Sequence, residues 1–279
     1  MKKLFAVLGD PIGHSMSPIM HNDLFSYYQI DGQYLPFHVK NDDLEDAVKG
    51  LKALGVGGFN ITVPHKSAII PFLDEVEELA LNIGAVNTVV NVGGKLIGYN
   101  TDGPGFLRGL TSHMLSIEGK KVLLIGAGGA ARGIYFTLAK EKALAIDIAN
   151  RTVEKASGLI EACPYRISSN AYSLDEASRN LEEYDLIIQT TTSGMSPKIA
   201  ELPLNVTNIK KQALVCDIIY NPIETLFLQE AKAKGASIQN GIDMFVYQGA
   251  LAFEKWTGIF PDAERMRENV LNQLGGKTC

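Results

Sequence analysis

Seven side chains in the first 110 residues carry chemistry and share a position. Ser15, Ser17, Asn60, Thr62, Lys66, Asn87 and Asp102 all lie at or just beyond the end of an apolar run. They comprise hydroxyls, amides, an ammonium and a carboxylate. In an open α/β sheet, ligands sit outside the carboxyl ends of the strands, so such a rim predicts a pocket for a small, hydroxyl-rich, anionic molecule. Local readings compete at two points: Ser17 before Pro18 also reads as a helix N-cap, and so does Asp102 ahead of the next helix.

A second pattern is Lys121-Val-Leu-Leu-Ile125 followed by Gly126-Ala127-Gly128-Gly129-Ala130-Ala131. It matches G-x-G-x-x-G/A, with an apolar strand before it and a helix-forming segment after it, which is the context a dinucleotide-binding turn requires. Gly126 permits the tight turn, Gly128 lets the backbone approach a pyrophosphate, and Ala131 allows the helix to pack closely. About 20 residues further on, where NAD enzymes carry an acid for the ribose 2′-hydroxyl, stand Asn150, Arg151 and Thr152. An arginine grips a 2′-phosphate in its planar fork, so this position predicts NADP. Thr190, Thr191 and Thr192 end a later apolar run on the same cofactor edge.

The elements that position these residues alternate between strand and helix. Residues 4–9, 33–39 and 56–63 read as strands, with helices from Pro18 and over 41–54 between them, the second stopped by Gly55. A helix over 75–83 with a Gly84 stop leads to a hairpin, 85–92 and 95–100, joined by Gly93-Gly94. After the glycine turn, 143–149, 185–191 and 214–220 read as buried strands and 237–240 as a last short one. Helices are expected over 224–234, 241–256 and 262–274; Gln248 on an otherwise apolar helix face is either a buried amide or a ligand contact. The fold class is therefore α/β: two open α/β domains, the first with a mostly parallel sheet plus a hairpin, the second of Rossmann type. The expected division is 1–110 with 241–279, and 111–240.

Length and composition agree with this division. At about 150 residues per domain, 279 residues predict two. Hydrophobic residues make up 46% and charged residues 20%, which excludes a disordered chain. A net charge of −5 with scattered lysines and arginines argues against nucleic-acid binding. The N-terminus starts like a signal peptide, but Asp10, Pro11 and His14 cut its apolar run short, and no apolar stretch is long enough to span a membrane. Cys163, Cys216 and Cys279 have no disulfide or zinc spacing, and His14, His21, His38, His65 and His113 have no ligand pattern, so no metal is assigned and a reducing cytoplasm is expected.

Taken in order along nearly the whole chain, Ser15-Met-Ser-Pro18, Asn60-Ile-Thr-Val-Pro-His-Lys66, Ile83-Gly-Ala-Val-Asn-Thr88, Tyr99-Asn-Thr-Asp102, the Gly126 turn, Asn150-Arg-Thr152 and Gln248 resemble the bacterial shikimate dehydrogenases. The resemblance implies NADPH-dependent, reversible reduction of 3-dehydroshikimate to shikimate, a step of aromatic amino-acid biosynthesis; a monomer or homodimer is expected, the sequence leaving the choice between them open. It implies substrate contacts at Ser15, Ser17, Asn60, Thr62, Asn87, Asp102, Tyr220 and Gln248, with Lys66 and Asp102 as the catalytic pair. Ile218, Gly241 and Met244 would face the nicotinamide, Thr191 the rest of the cofactor, and Glu78 falls at a further cofactor position. The chemistry is coherent: charge developing on a carbonyl oxygen is stabilised by an ammonium, which can also supply the proton.

Overall fold

A computed structural model describes residues 2–13, 15–111 and 113–275; His14 and Cys279 lie outside them. The chain divides into two compact units, Met1–Thr101 with Val246–Cys279, and Asp102–Phe245.

The first unit opens with β1 (Lys3–Gly9), α1 (Ser17–Tyr27), β2 (Gly32–His38), α2 (Leu44–Ala53) and β3 (Gly58–Ile61). β4 (Glu75–Val76), α3 (Glu78–Ile83), β5 (Thr88–Val92) and β6 (Lys95–Tyr99) follow. The sheet order is β2-β1-β3-β5-β6-β4. β1 pairs parallel to both β2 and β3, whereas β5 runs antiparallel to β3 and β6. β1 is buried over five consecutive residues, Phe5 to Gly9, as a strand covered on both faces must be. The hairpin turn has φ of +60° at Gly93 and +92° at Gly94, the pair of left-handed residues that a tight two-residue connection of the right twist demands.

Two local expectations shift. Residues 75 and 76 pair with β6 as a short strand, and the helix starts only at Glu78, because Asp74 and Glu77 donate their N–H groups to Leu96 and Gly98 of that strand. Ser17 is the first helical residue and not the cap; the cap position is Met16, and the Ser15 hydroxyl accepts the Ser17 N–H at 3.3 Å.

The second unit begins with α4 (Asp102–Leu110), β7 (Lys121–Ile125), α5 (Gly129–Ala139), β8 (Ala145–Ala149), α6 (Val153–Glu161), β9 (Ala171–Tyr172) and α7 (Leu174–Arg179). It continues through β10 (Leu186–Gln189), β11 (Leu214–Asp217), α8 (Leu226–Ala233) and β12 (Ser237–Gln239). Its sheet is parallel throughout, in the order β12-β11-β10-β7-β8-β9. Read from the other edge this is the 3-2-1-4-5-6 arrangement of a Rossmann domain, with the topological switch between β7 and β10. α4 joins this unit because it packs on α5: a Cβ at Gly103 would lie 2.4 Å from the Gly133 carbonyl oxygen, so only glycine allows the approach. α9 (Ile242–Thr257) passes from the second unit into the first, and α10 (Ala263–Gly275) returns to α1, where Arg265 grips Asp23 through two bonds of 2.6 and 2.7 Å. No described helix is long and apolar enough to cross a membrane.

Candidate active site

In the first unit the polar residues are organised by a buried hydrogen-bond network. Asn60, in β3, donates from Nδ2 to the Asn87 carbonyl at 3.0 Å and to Thr88 Oγ1 at 3.1 Å. Its Oδ1 accepts the Tyr34 hydroxyl at 2.7 Å. The two amide hydrogens are thus used within the protein, and one acceptor lone pair remains for a ligand hydroxyl. Asn87 accepts the Thr101 N–H at 2.8 Å and the Thr88 hydroxyl at 3.0 Å, and donates to Thr101 Oγ1 at 2.9 Å. These bonds hold Thr101, the residue directly before Asp102. All members are nearly inaccessible to solvent, which makes the network rigid and expensive to disrupt.

Tyr34 was not legible as part of this site. It sits in β2 as one more inward aromatic, fully buried, yet its hydroxyl meets Asn60, and the Ser17 hydroxyl lies against the same oxygen. Burial pushes its phenol well above the usual range, outweighing the Ser17 contact, so it remains a proton donor to Asn60. Thr62 follows β3 half-buried, its N–H held by the Leu8 carbonyl at 3.0 Å; Gly9 leaves the space, since a Cβ there would meet Thr62 Cγ2 at 2.4 Å. Lys66 is half-buried and its carbonyl accepts the Val86 N–H at 2.7 Å, while the neighbouring His65 donates from Nε2 to the Val39 carbonyl at 2.6 Å. The turn carrying Lys66 is therefore tied to the rest of the sheet on both sides. Gln248 lies half-buried in α9, and Glu78 stands outside the network, exposed in the first turn of α3.

In the second unit Asp102 is buried to 8% exposure as the first residue of α4. Tyr220 follows β11, half-buried, its ring 5.1 Å from Phe245, and burial raises its phenol. Gly241 and Ile218 are brought together: a Cβ at Gly241 would lie 2.1 Å from the Ile218 carbonyl oxygen. Met244 is half-buried in α9, four residues and one helical turn before Gln248.

The glycine turn distinguishes its own needs from those of a ligand. Gly126 has φ of +112° and a Cβ there would meet Thr190 Oγ1 at 2.5 Å, so the chain itself requires glycine. Gly128 is different: its φ of −88° suits any residue, and a Cβ at Gly128 or Gly129 would meet nothing within 4 Å. α5 carries no side-chain cap, so the N–H groups of its first turn face this open space together with Ala127 and Ala130 around it. Open space beside uncapped helical N–H groups is what a pyrophosphate fills. Beside it lies a cleft of about 280 Å³ lined by Ile125, Asn150, Arg151, Leu174, Thr191 and Ser193 among others. Asn150 donates to the Thr152 carbonyl at 2.8 Å, and the Arg151 and Thr152 side chains are exposed. The residues present thus fit a dinucleotide with a phosphate at its adenosine end.

Three family profiles match in succession. They are the shikimate dehydrogenase substrate binding domain over residues 7–89, shikimate / quinate 5-dehydrogenase over 110–224, and the shikimate 5′-dehydrogenase C-terminal domain over 241–271. The chain belongs to the shikimate dehydrogenase family. It is 57% identical over 277 residues to the shikimate dehydrogenase (NADP(+)) of Bacillus cereus strain AH187, covering 99% of this chain and 100% of that one. Among solved structures, a shikimate dehydrogenase in complex with NADP+ superposes with a TM-score of 0.92 at 40% identity, covering 98% of this chain and 96% of the other. The shikimate 5-dehydrogenase of Thermus thermophilus, in complex with NADP(H) and shikimate, superposes with a TM-score of 0.88 at 35% identity, covering 97% and 99%. The α/β fold with its Rossmann-type second domain is that of the family.

Proposed function

We propose that this protein catalyses the reversible, NADPH-dependent reduction of 3-dehydroshikimate to shikimate, as an enzyme of aromatic amino-acid biosynthesis in the cytoplasm, acting as a monomer or homodimer. The observation that carries the reading is full-length identity of 57% to an NADP(+)-dependent shikimate dehydrogenase, combined with an uncapped, glycine-opened helix N-terminus leading to Arg151. The first unit is the substrate-binding domain and the second the NADP-binding domain.

In this proposal Ser15, Ser17, Asn60, Thr62, Asn87, Tyr220 and Gln248 hold the substrate's hydroxyls and carboxylate. Gly126, Ala127, Gly128, Gly129, Ala130, Asn150, Arg151, Thr152 and Thr191 hold the cofactor, with Ile218, Gly241 and Met244 at its nicotinamide end and Glu78 as a further contact. Bound NADPH supplies the hydride. Lys66 stabilises the charge that develops on the substrate's carbonyl oxygen and gives that oxygen its proton, while Asp102 orients the ammonium and a substrate hydroxyl. The buried network around Asn60 and Asn87 keeps these two amides in place before substrate arrives, and such preorganisation is a source of rate enhancement.

The deciding assay is oxidation of shikimate with NADP, with quinate and NAD as the alternative substrate and cofactor. Shikimate with NADP is expected to give the highest kcat/KM; inactivity in all four combinations would overturn the reading. A charge-assisted bidentate grip contributes a few kcal/mol, so Arg151→Ala is expected to lower kcat/KM with NADP about 30- to 100-fold. Activity with NAD should change little, because NAD has no 2′-phosphate for the guanidinium to hold. Equal losses with both cofactors would remove Arg151 from this role.

A further inference from the structure

The loop after β11 is held by a buried acid that the reaction, as proposed, leaves unused. Asp217 ends the strand at 1% exposure. One carboxylate oxygen accepts the Ile219 N–H at 2.9 Å, and the other accepts the Thr225 hydroxyl at 2.7 Å. Thr225 is itself fully buried and caps α8, its oxygen accepting the Leu228 N–H at 3.4 Å. A single carboxylate therefore joins the end of β11, the start of the loop and the first turn of α8, closing residues 218–224 at both ends.

The same loop is confined from two other directions. The Ile218 N–H donates to the Gln189 carbonyl at 3.1 Å, and the Gly241 N–H donates to the Ile219 carbonyl at 3.0 Å. At Gly241 the fit to the Ile218 carbonyl leaves no room for a Cβ, and Tyr220 rests on the Phe245 ring. Burial pushes the Asp217 carboxyl up to about 6, so near neutral pH it remains ionised and acts as an acceptor only, the form that both bonds require. That upward displacement also says that the two donors compensate burial only in part. A carboxylate so placed has its main effect on geometry, because one flat group sets the separation of the two loop ends.

We propose that Asp217 is a positioning residue for the reaction: by clamping the 218–224 loop it fixes where Ile218 and Tyr220 meet the reacting ends of cofactor and substrate. The proposal rests on the shikimate dehydrogenase reading for the roles of those two residues. The clamp itself is a property of the second unit alone.

The test uses the full-length protein with Asp217→Ala, Asp217→Asn, Thr225→Val and Thr225→Ser, recording kcat, both KM values and the unfolding midpoint. A small misplacement near the reacting atoms costs up to about 100-fold, so Asp217→Ala and Thr225→Val are expected to lower kcat at least about tenfold, measured well below their unfolding midpoints. KM for NADP should stay within about twofold, because the adenosine end is gripped by other residues. Asp217→Asn keeps the shape of the clamp, its amide oxygen still accepting the Ile219 N–H while its amide N–H donates to Thr225 Oγ1 in place of the reverse bond, and Thr225→Ser keeps its hydroxyl, so both should recover most of the lost kcat. Variants that unfold earlier yet keep wild-type kcat would overturn the proposal and leave Asp217 a stabilising residue only. If Asp217→Ala fails to fold, the Thr225→Val and Thr225→Ser pair decides the matter in the same way. If the wild type fails to oxidise shikimate, the functional reading fails separately. Amide exchange over 218–224 then judges the clamp: faster exchange in Thr225→Val than in Thr225→Ser supports it, and equal exchange overturns it.

Discussion

Lys66→Ala is expected to lower kcat for shikimate oxidation by about a thousandfold, within the range that a positioned general acid or base contributes. The fold should survive, because Lys66 is tied into the sheet through its backbone: its carbonyl accepts the Val86 N–H at 2.7 Å whatever the side chain. Binding of NADP should change little. Lys66→Arg separates the two roles assigned to the ammonium. A guanidinium keeps the positive charge beside the substrate oxygen but cannot exchange a proton at ordinary pH, so it should restore ground-state binding and only a small part of kcat. Full activity in Lys66→Ala, measured on protein with an unchanged unfolding midpoint, would remove Lys66 from the chemistry. Full activity in Lys66→Arg would leave it an electrostatic role only.

The second large effect concerns acid stability. His21, in α1, is fully buried with its ring 4.6 Å from Tyr34, 5.2 Å from Trp256 and 6.2 Å from Phe253. Among the described residues neither ring nitrogen has a hydrogen-bond partner. Burial alone drives its pKa down to about 3. An unfolded histidine titrates near 6.5, so below that pH the unfolded chain binds a proton that the folded one refuses. Stability is therefore lost as pH falls from about 6.5 to about 3, by about 5 kcal/mol over the whole window, comparable with the entire stability of many domains.

Asp217 acts in the opposite sense. Its carboxyl is raised from 3.8 to about 6 by burial, so the folded state binds the extra proton and stability falls as pH rises through that range. The two groups belong to different units, so between about pH 4 and 6 acid adds the cost of His21 in the first unit and lifts that of Asp217 in the second. Replacing His21 with leucine, of similar volume and without a titrating group, should remove the first effect and raise stability relative to wild type by about 3 kcal/mol at pH 4.5. Thermal unfolding at pH 7.5 and 4.5 checks it. A variant whose midpoint falls with acid as steeply as the wild type's would show that His21 is not the group responsible.

How much of this was legible in the sequence varies with the range of the interaction. Local signals located the glycine turn, the Gly93-Gly94 hairpin and most long apolar strands, because each is dictated by neighbours in the chain. No element is expected from the sequence between Thr152 and Asp185, where the structure holds α6, the two-residue β9 and the short α7. The short strand at Glu75–Val76 was equally hidden, since its identity depends on β6, about 20 residues away. Boundaries moved for the same reason at α4: Gly103 lies against Gly133 of α5, and that contact places the helix with the second unit.

The candidate site shows the division most clearly. Sequence alone determined which residues could do chemistry: the Lys66 ammonium, the Asp102 carboxylate, the amides and hydroxyls at strand ends, and the Gly126 to Ala131 turn with Arg151 beyond it. Those are statements about residue type and short spacing, and covalent order suffices for them. Only the tertiary structure decided that Tyr34 meets Asn60, that Asn87 holds Thr101, and that Asp217 closes the loop bearing Ile218 and Tyr220. A buried tyrosine or aspartate reads in sequence like any strand residue, because its partners are set by which strands become neighbours in a sheet. That order arises from long-range packing, and it turns a series of polar residues into an organised site.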